Sequence, residues 1–212
     1  MKNTKTRQMV QLAILTAIIL VMAFTPLGYL RVATMTITFL SIPVVIGAIL
    51  IGPAAGAFLG FVFGLTSFIQ CFGMDALGTA LMTINVFYTF CFTVVTRTLM
   101  GFLAGLIYKG MELIFSKINA IKNKELANPV SCAVACASAP LLNTILFMSA
   151  LYFFFHNEPI IIESFGALPF FAFVFGSVTI NAVAELAASL VVGTAICTAL
   201  RHTGIIKKQA NA

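Results

Sequence analysis

Residues 32–74 contain no Asp, Glu, Lys or Arg. A stretch of that length without charge has little to offer water. It is long enough for two membrane-spanning helices of about 20 residues each. Further uncharged windows cover 8–30, 76–96, 126–157 and 164–184. Charged residues make up 8% of the 212 and hydrophobic residues 61%, whereas an ordinary soluble domain is about 25% charged. This composition excludes a conventional soluble enzyme, which needs polar cover, and a disordered chain, which needs charge. It predicts an all-α integral membrane protein, one domain over 1–212. Six transmembrane helices are expected at about 8–25, 40–51, 53–70, 79–108, 129–155 and 168–200. Gly52 and Pro53 break the long window in two. The second span is short for a full crossing, which predicts that it lies tilted or against protein rather than lipid.

Lys2, Lys5 and Arg7 precede the first apolar run as in a cleaved leader. That run is long and leads directly into further spans, so a retained helix is expected. With the N-terminus inside and six spans, Lys2, Lys5, Arg7, Lys109, Lys117, Lys122, Lys124, Arg201, Lys207 and Lys208 fall inside. Only Arg31 falls outside, and Arg97 lies within a span. Both termini are therefore expected to be cytoplasmic. The net charge of +6 then reads as membrane orientation, with the lipid bilayer rather than nucleic acid as partner.

Several chemistries are missing. There is no G-x-x-x-x-G-K-[ST] for ATP, no H-E-x-x-H and no G-x-S-x-G. The two histidines are His156 and His202. Of the five cysteines, Cys132 and Cys136 lie one helical turn apart in an apolar run and read as small buried residues. No metal, cofactor or catalytic residue is expected.

Two kinds of position stand out within the spans. The first is small residues. Gly52, Gly56, Gly60 and Gly64 repeat every four residues and make a stripe that another helix can approach closely. Gly101 and Gly105 repeat the device, and Ala13 and Ala17 form a weaker pair. The second is buried polarity. An ion within the membrane costs about 2.5–3.5 kcal/mol on insertion scales and marks a function or a pair. Arg97 is the one basic residue deep in a span, Glu185 the one acidic residue, and Asn85, Asn143 and Asn181 are the amides. Arg97 suits an anion anchor, because guanidinium grips a carboxylate with two bonds. An ion pair with Glu185 is the structural alternative. Asn143 and Asn181, with Asn85 as a weaker candidate, suit ligand amides and hydroxyls or bonds between helices. The segment 26–38 alternates threonines at 34, 36 and 38, an extended pattern that could cover an outward-facing pocket. Tyr29 and Arg31 are its candidate lid residues. The loops 71–79 and 156–167 are further candidates to fold over a site.

The order of these features resembles the substrate-binding S components of energy-coupling-factor (ECF) vitamin transporters. The residues that carry the likeness are Pro-Leu-Gly-Tyr at 26–29, the run from Thr38 to Phe68, and Thr-Arg-Thr-Leu-Met-Gly-Phe-Leu-Ala-Gly-Leu-Ile-Tyr at 96–108. The resemblance spans the whole chain in architecture and about a third of it in motif. It implies a six-helix protein of the bacterial plasma membrane that binds a vitamin from outside. Such a protein docks on a membrane-embedded coupling protein carrying two cytoplasmic ATPases and delivers its cargo by toppling. Ala13 and Ala17 match the family's docking motif. The likeness is greatest to pantothenate-type members, and Arg97 suits that carboxylate. Riboflavin or folate is the alternative cargo. Outside the family, the competing readings are a self-sufficient secondary transporter, a membrane enzyme and a structural subunit.

Overall fold

The computed structural model describes residues 4–26, 28–32, 35–117, 124–166, 168–176 and 180–202. Side chains are described over 5–26, 28–29, 38–115, 129–166, 168–176 and 182–199. Helix α1 (Thr4–Ala23) leads into an antiparallel hairpin of β1 (Tyr29–Val32) and β2 (Met35–Thr38). Then come α2 (Ser41–Leu50), α3 (Pro53–Gln70), α4 (Ala76–Ile84) and α5 (Val86–Phe90). A π-helical turn at Cys91–Val95 joins α5 to α6 (Thr96–Lys117). Helices α7 (Lys124–Phe155), α8 (Pro159–Phe165), α9 (Phe170–Gly176) and α10 (Ile180–Ala188) follow. A second π-helical turn, Ser189–Gly193, leads into α11 (Thr194–His202).

Among the described residues, five helices are long and apolar enough to cross a membrane: Lys5–Ala23, Pro53–Gln70, Val86–Phe115, Pro129–Phe155 and Ala182–Ala199. A sixth crossing results if α8 and α9, bent by 58°, act as one span. The body is an all-α, multi-pass membrane fold, and the hairpin is its extended exception. All ten residues of α2 are buried, so it packs against protein on every side. The expected span at 79–108 is divided instead. Asn85 takes an extended backbone (φ −157°, ψ 110°), which ends α4 and starts the continuous helix at Val86.

The seam between α3 and α6 holds the bundle. A Cβ on Gly56 would collide with the carbonyl of Gly101, and one on Gly101 with that of Gly56. A Cβ on Gly60 would meet the carbonyl of Arg97. At Gly64 it would lie 2.7 Å from Cα of Val94, and at Gly105 2.7 Å from Cα of Pro53. The glycines let the two backbones touch, which lipid-embedded helices need because they gain little from burying apolar surface away from lipid. Gly52 serves differently. Its φ of 127° is open to glycine and strained for other residues, and it turns the chain into Pro53 at the first position of α3.

Proline sets a second contact. Pro140 inside α7 has no N–H to give the carbonyl of Cys136 one turn back. The Ser189 hydroxyl donates to that carbonyl instead, at 2.6 Å. The wide turn after α10 is thereby pinned to α7, with Glu185 one helical turn before it. Cys132 and Cys136 are buried in the same region, neither of them in a disulfide.

Candidate functional site

A cavity of about 750 Å³ opens beside the hairpin, a size typical of small-molecule sites. The end of α1 lines it with Ala23 and the hairpin with Tyr29 and Thr38. Ser67 and Gln70 come from α3, Asp75 from the start of α4, and Phe92 and Thr93 from the π-helical turn. Arg97 comes from α6, Asn143 and Phe147 from α7, and Glu185 from α10.

Arg97 dominates the chemistry. It is 8% exposed. Its backbone lies in the glycine seam, and its guanidinium carbon sits 4.9 Å from the ring centre of Phe63 and 4.8 Å from that of Phe147. These aromatic faces hold the cation by its charge and fix its plane. Of the five N–H donors in a guanidinium, one makes a hydrogen bond among the described residues, from Nη1 to the carbonyl of Thr93 at 3.1 Å. Nε is buried without a partner. No ion pair joins Arg97 to Glu185, so the alternative left open by the sequence is absent among the described residues. The Glu185 carboxylate accepts from the backbone N–H of Thr38 at 2.8 Å. A buried cation with most of its donors unused costs free energy unless an anion meets it.

Neutral groups complete the lining. Asn143 Oδ1 is buried and has no hydrogen-bond partner. Tyr29 lies 3.5 Å from the Ser67 hydroxyl. Burial pushes its phenol above the ordinary range, against the pull of Arg97, and it stays protonated at neutral pH. Asp75 Oδ2 accepts from the Gly78 N–H at 2.7 Å and caps α4, so this carboxylate is already engaged. The site thus presents a buried guanidinium, several polar groups and apolar walls.

The family model for the ECF transporter substrate-specific component matches residues 7–197. The chain belongs to this family. No curated protein matches its sequence. As an ECF S component it is part of a transporter rather than a member of an enzyme family. It works on a small-molecule substrate in partnership with T and ATPase modules.

The S component brings Arg97, Asn143 and Tyr29 to one cavity and leaves other residues elsewhere. Asn85 lies outside the lining. Its Oδ1 accepts from the N–H groups of Phe87 (3.0 Å) and Tyr88 (3.1 Å), so it is a helix cap. Asn181 lies in α10 and Arg31 in β1, paired with Thr36, but both side chains lie outside the described residues. Thr34 lies outside them altogether. Ala13 and Ala17 are exposed on α1, while Leu15, Ile19 and Ala23 bury its other face. The loop 71–79 lines the cavity, whereas 156–167 does not. Sequence reading missed Ser67, Gln70 and Thr93, which look like routine polar residues of membrane helices. It also missed the bond from Glu185 to the hairpin, which joins residues far apart in the chain.

Proposed function

We propose that this S component captures a small water-soluble carboxylate vitamin, pantothenate first, from the outer side of the bacterial plasma membrane. It delivers the vitamin by toppling on a coupling protein driven by two cytoplasmic ATPases. Both termini are cytoplasmic in this reading, following the lysines and arginines. One observation supports the reading above all others: Arg97 is a buried guanidinium with one hydrogen bond among the described residues and an Nε without a partner, bordering a cavity of about 750 Å³. A ligand carboxylate would supply the missing charge and take two parallel N–H bonds. Asn143, with an unsatisfied acceptor, suits a ligand hydroxyl or amide N–H, and Asn181 is a further polar contact. Tyr29 and Arg31 belong to the covering hairpin. Ala13 and Ala17, exposed and one turn apart, present the surface on which the coupling protein docks.

The test is calorimetric binding of a vitamin panel to the isolated chain in detergent. Tight binding of pantothenate without any ATPase partner is the expected result. Tight binding of riboflavin or folate would keep the capture role and replace the cargo. A folded protein that binds nothing in the panel contradicts the proposal.

A further inference from the structure

We propose that Glu185 is the positioning residue that holds the hairpin closed over the cavity and so slows the escape of bound ligand. This rests on the reading that the cavity holds the ligand.

The argument begins with strand register. Tyr29 pairs with Thr38, and the Phe39 N–H donates to the Gly28 carbonyl at 3.0 Å. In an antiparallel ladder, hydrogen-bonded and non-hydrogen-bonded pairs alternate. The Thr38 N–H therefore points away from β1, as an edge donor. Glu185 takes it at 2.8 Å. The residue is 7% exposed, and among the described residues the carboxylate has no ion pair and accepts this one hydrogen bond. A buried carboxylate needs partners, and the hairpin provides this one.

The two partners differ in firmness. Glu185 stands on α10, and the turn after α10 is pinned to α7 by the Ser189 bond to Cys136. The hairpin is a two-stranded ribbon, marginal by itself. On its other flank, Tyr29 meets Ser67 at 3.5 Å, the outer limit for such a bond. The 2.8 Å bond to Glu185 is the shorter and stronger tie, so the hairpin moves and Glu185 is its fixed post. Thr38, Glu185 and Arg97 all line the cavity, so breaking this bond releases part of the wall of the cavity that Arg97 borders.

The test uses the full chain in detergent, without ligand. Amide hydrogen exchange is compared at Ile37 and Phe39 in wild type, Glu185→Ala, Glu185→Gln and Thr38→Pro. Proline removes the donor and leaves the carboxylate in place. Both Glu185→Ala and Thr38→Pro should speed exchange about tenfold or more, the scale of a hydrogen bond to a charged group. The amides of α3 and α6 should not change. Glu185→Gln, which keeps an acceptor, should restore part of the protection. Unchanged exchange in Glu185→Ala overturns the proposal. In a second arm with pantothenate, Thr38→Pro should speed dissociation about tenfold. Unchanged dissociation overturns the retention role. If wild type binds no pantothenate, the pantothenate assignment falls while the exchange arm still decides for or against the tie.

Discussion

Along one face of α6, Gly101 and Gly105 lie against the backbone of α3 with no room for a methyl group. One turn earlier, the Arg97 side chain borders a cavity with most of its donors unused. The same residue belongs to both regions, since its carbonyl faces Gly60 across the seam. The seam is complete within the chain, with no room for a Cβ at Gly56, Gly60, Gly64, Gly101 or Gly105. The cavity is incomplete, with Arg97 Nε and Asn143 Oδ1 lacking partners. A scaffold gains from close packing, whereas a binding site has to keep some hydrogen-bonding capacity for its ligand. Carrying Arg97 on a helix whose backbone is locked into the seam would hold its guanidinium still for the ligand proposed above.

Substitutions can break this contrast, and the largest effect belongs to the seam. Gly56→Leu drives a side chain into the Gly101 carbonyl and should cost about 3 kcal/mol or the folded state itself. Thermal unfolding in detergent reads it directly. Arg97→Ala comes next and should do the reverse. It should weaken a carboxylate ligand more than tenfold, yet leave the unfolding temperature unchanged or raised, because it removes an uncompensated buried charge. Unchanged affinity would remove Arg97 from the site. Asn85→Ala sharpens the line between amides that serve the fold and those that serve the ligand. Losing the cap should cost about 1 kcal/mol of stability with no change in affinity. Gly110→Ala is the smallest. Nothing lies within 4 Å of a Cβ there, so alanine in this helix should be neutral or stabilising by up to about 1 kcal/mol.

Much of the scaffold could be read from the sequence, because a bilayer imposes long apolar windows and small-residue stripes. Arg97 stood out for the same reason: a lone charge in such a window is conspicuous. The cap at Asn85 was in principle legible as an Asn at the start of an apolar run, but its polarity within a span drew it toward the ligand. The breaks in the helices were harder, since Asn85 and the two π-helical turns depend on local backbone geometry that hydropathy averages away. The tie between Glu185 and Thr38 could not be read at all. It joins a side chain to a backbone N–H across 147 positions, and a backbone donor has no residue type to announce it.

The most direct test of the account sets one ligand charge against one protein charge. Pantothenate and its neutral alcohol analogue, which lacks the carboxylate, are titrated into wild type and Arg97→Ala. Wild type should prefer the carboxylate by more than tenfold, and Arg97→Ala should lose that preference. An equal preference in both proteins would contradict the claim that Arg97 is the anion anchor.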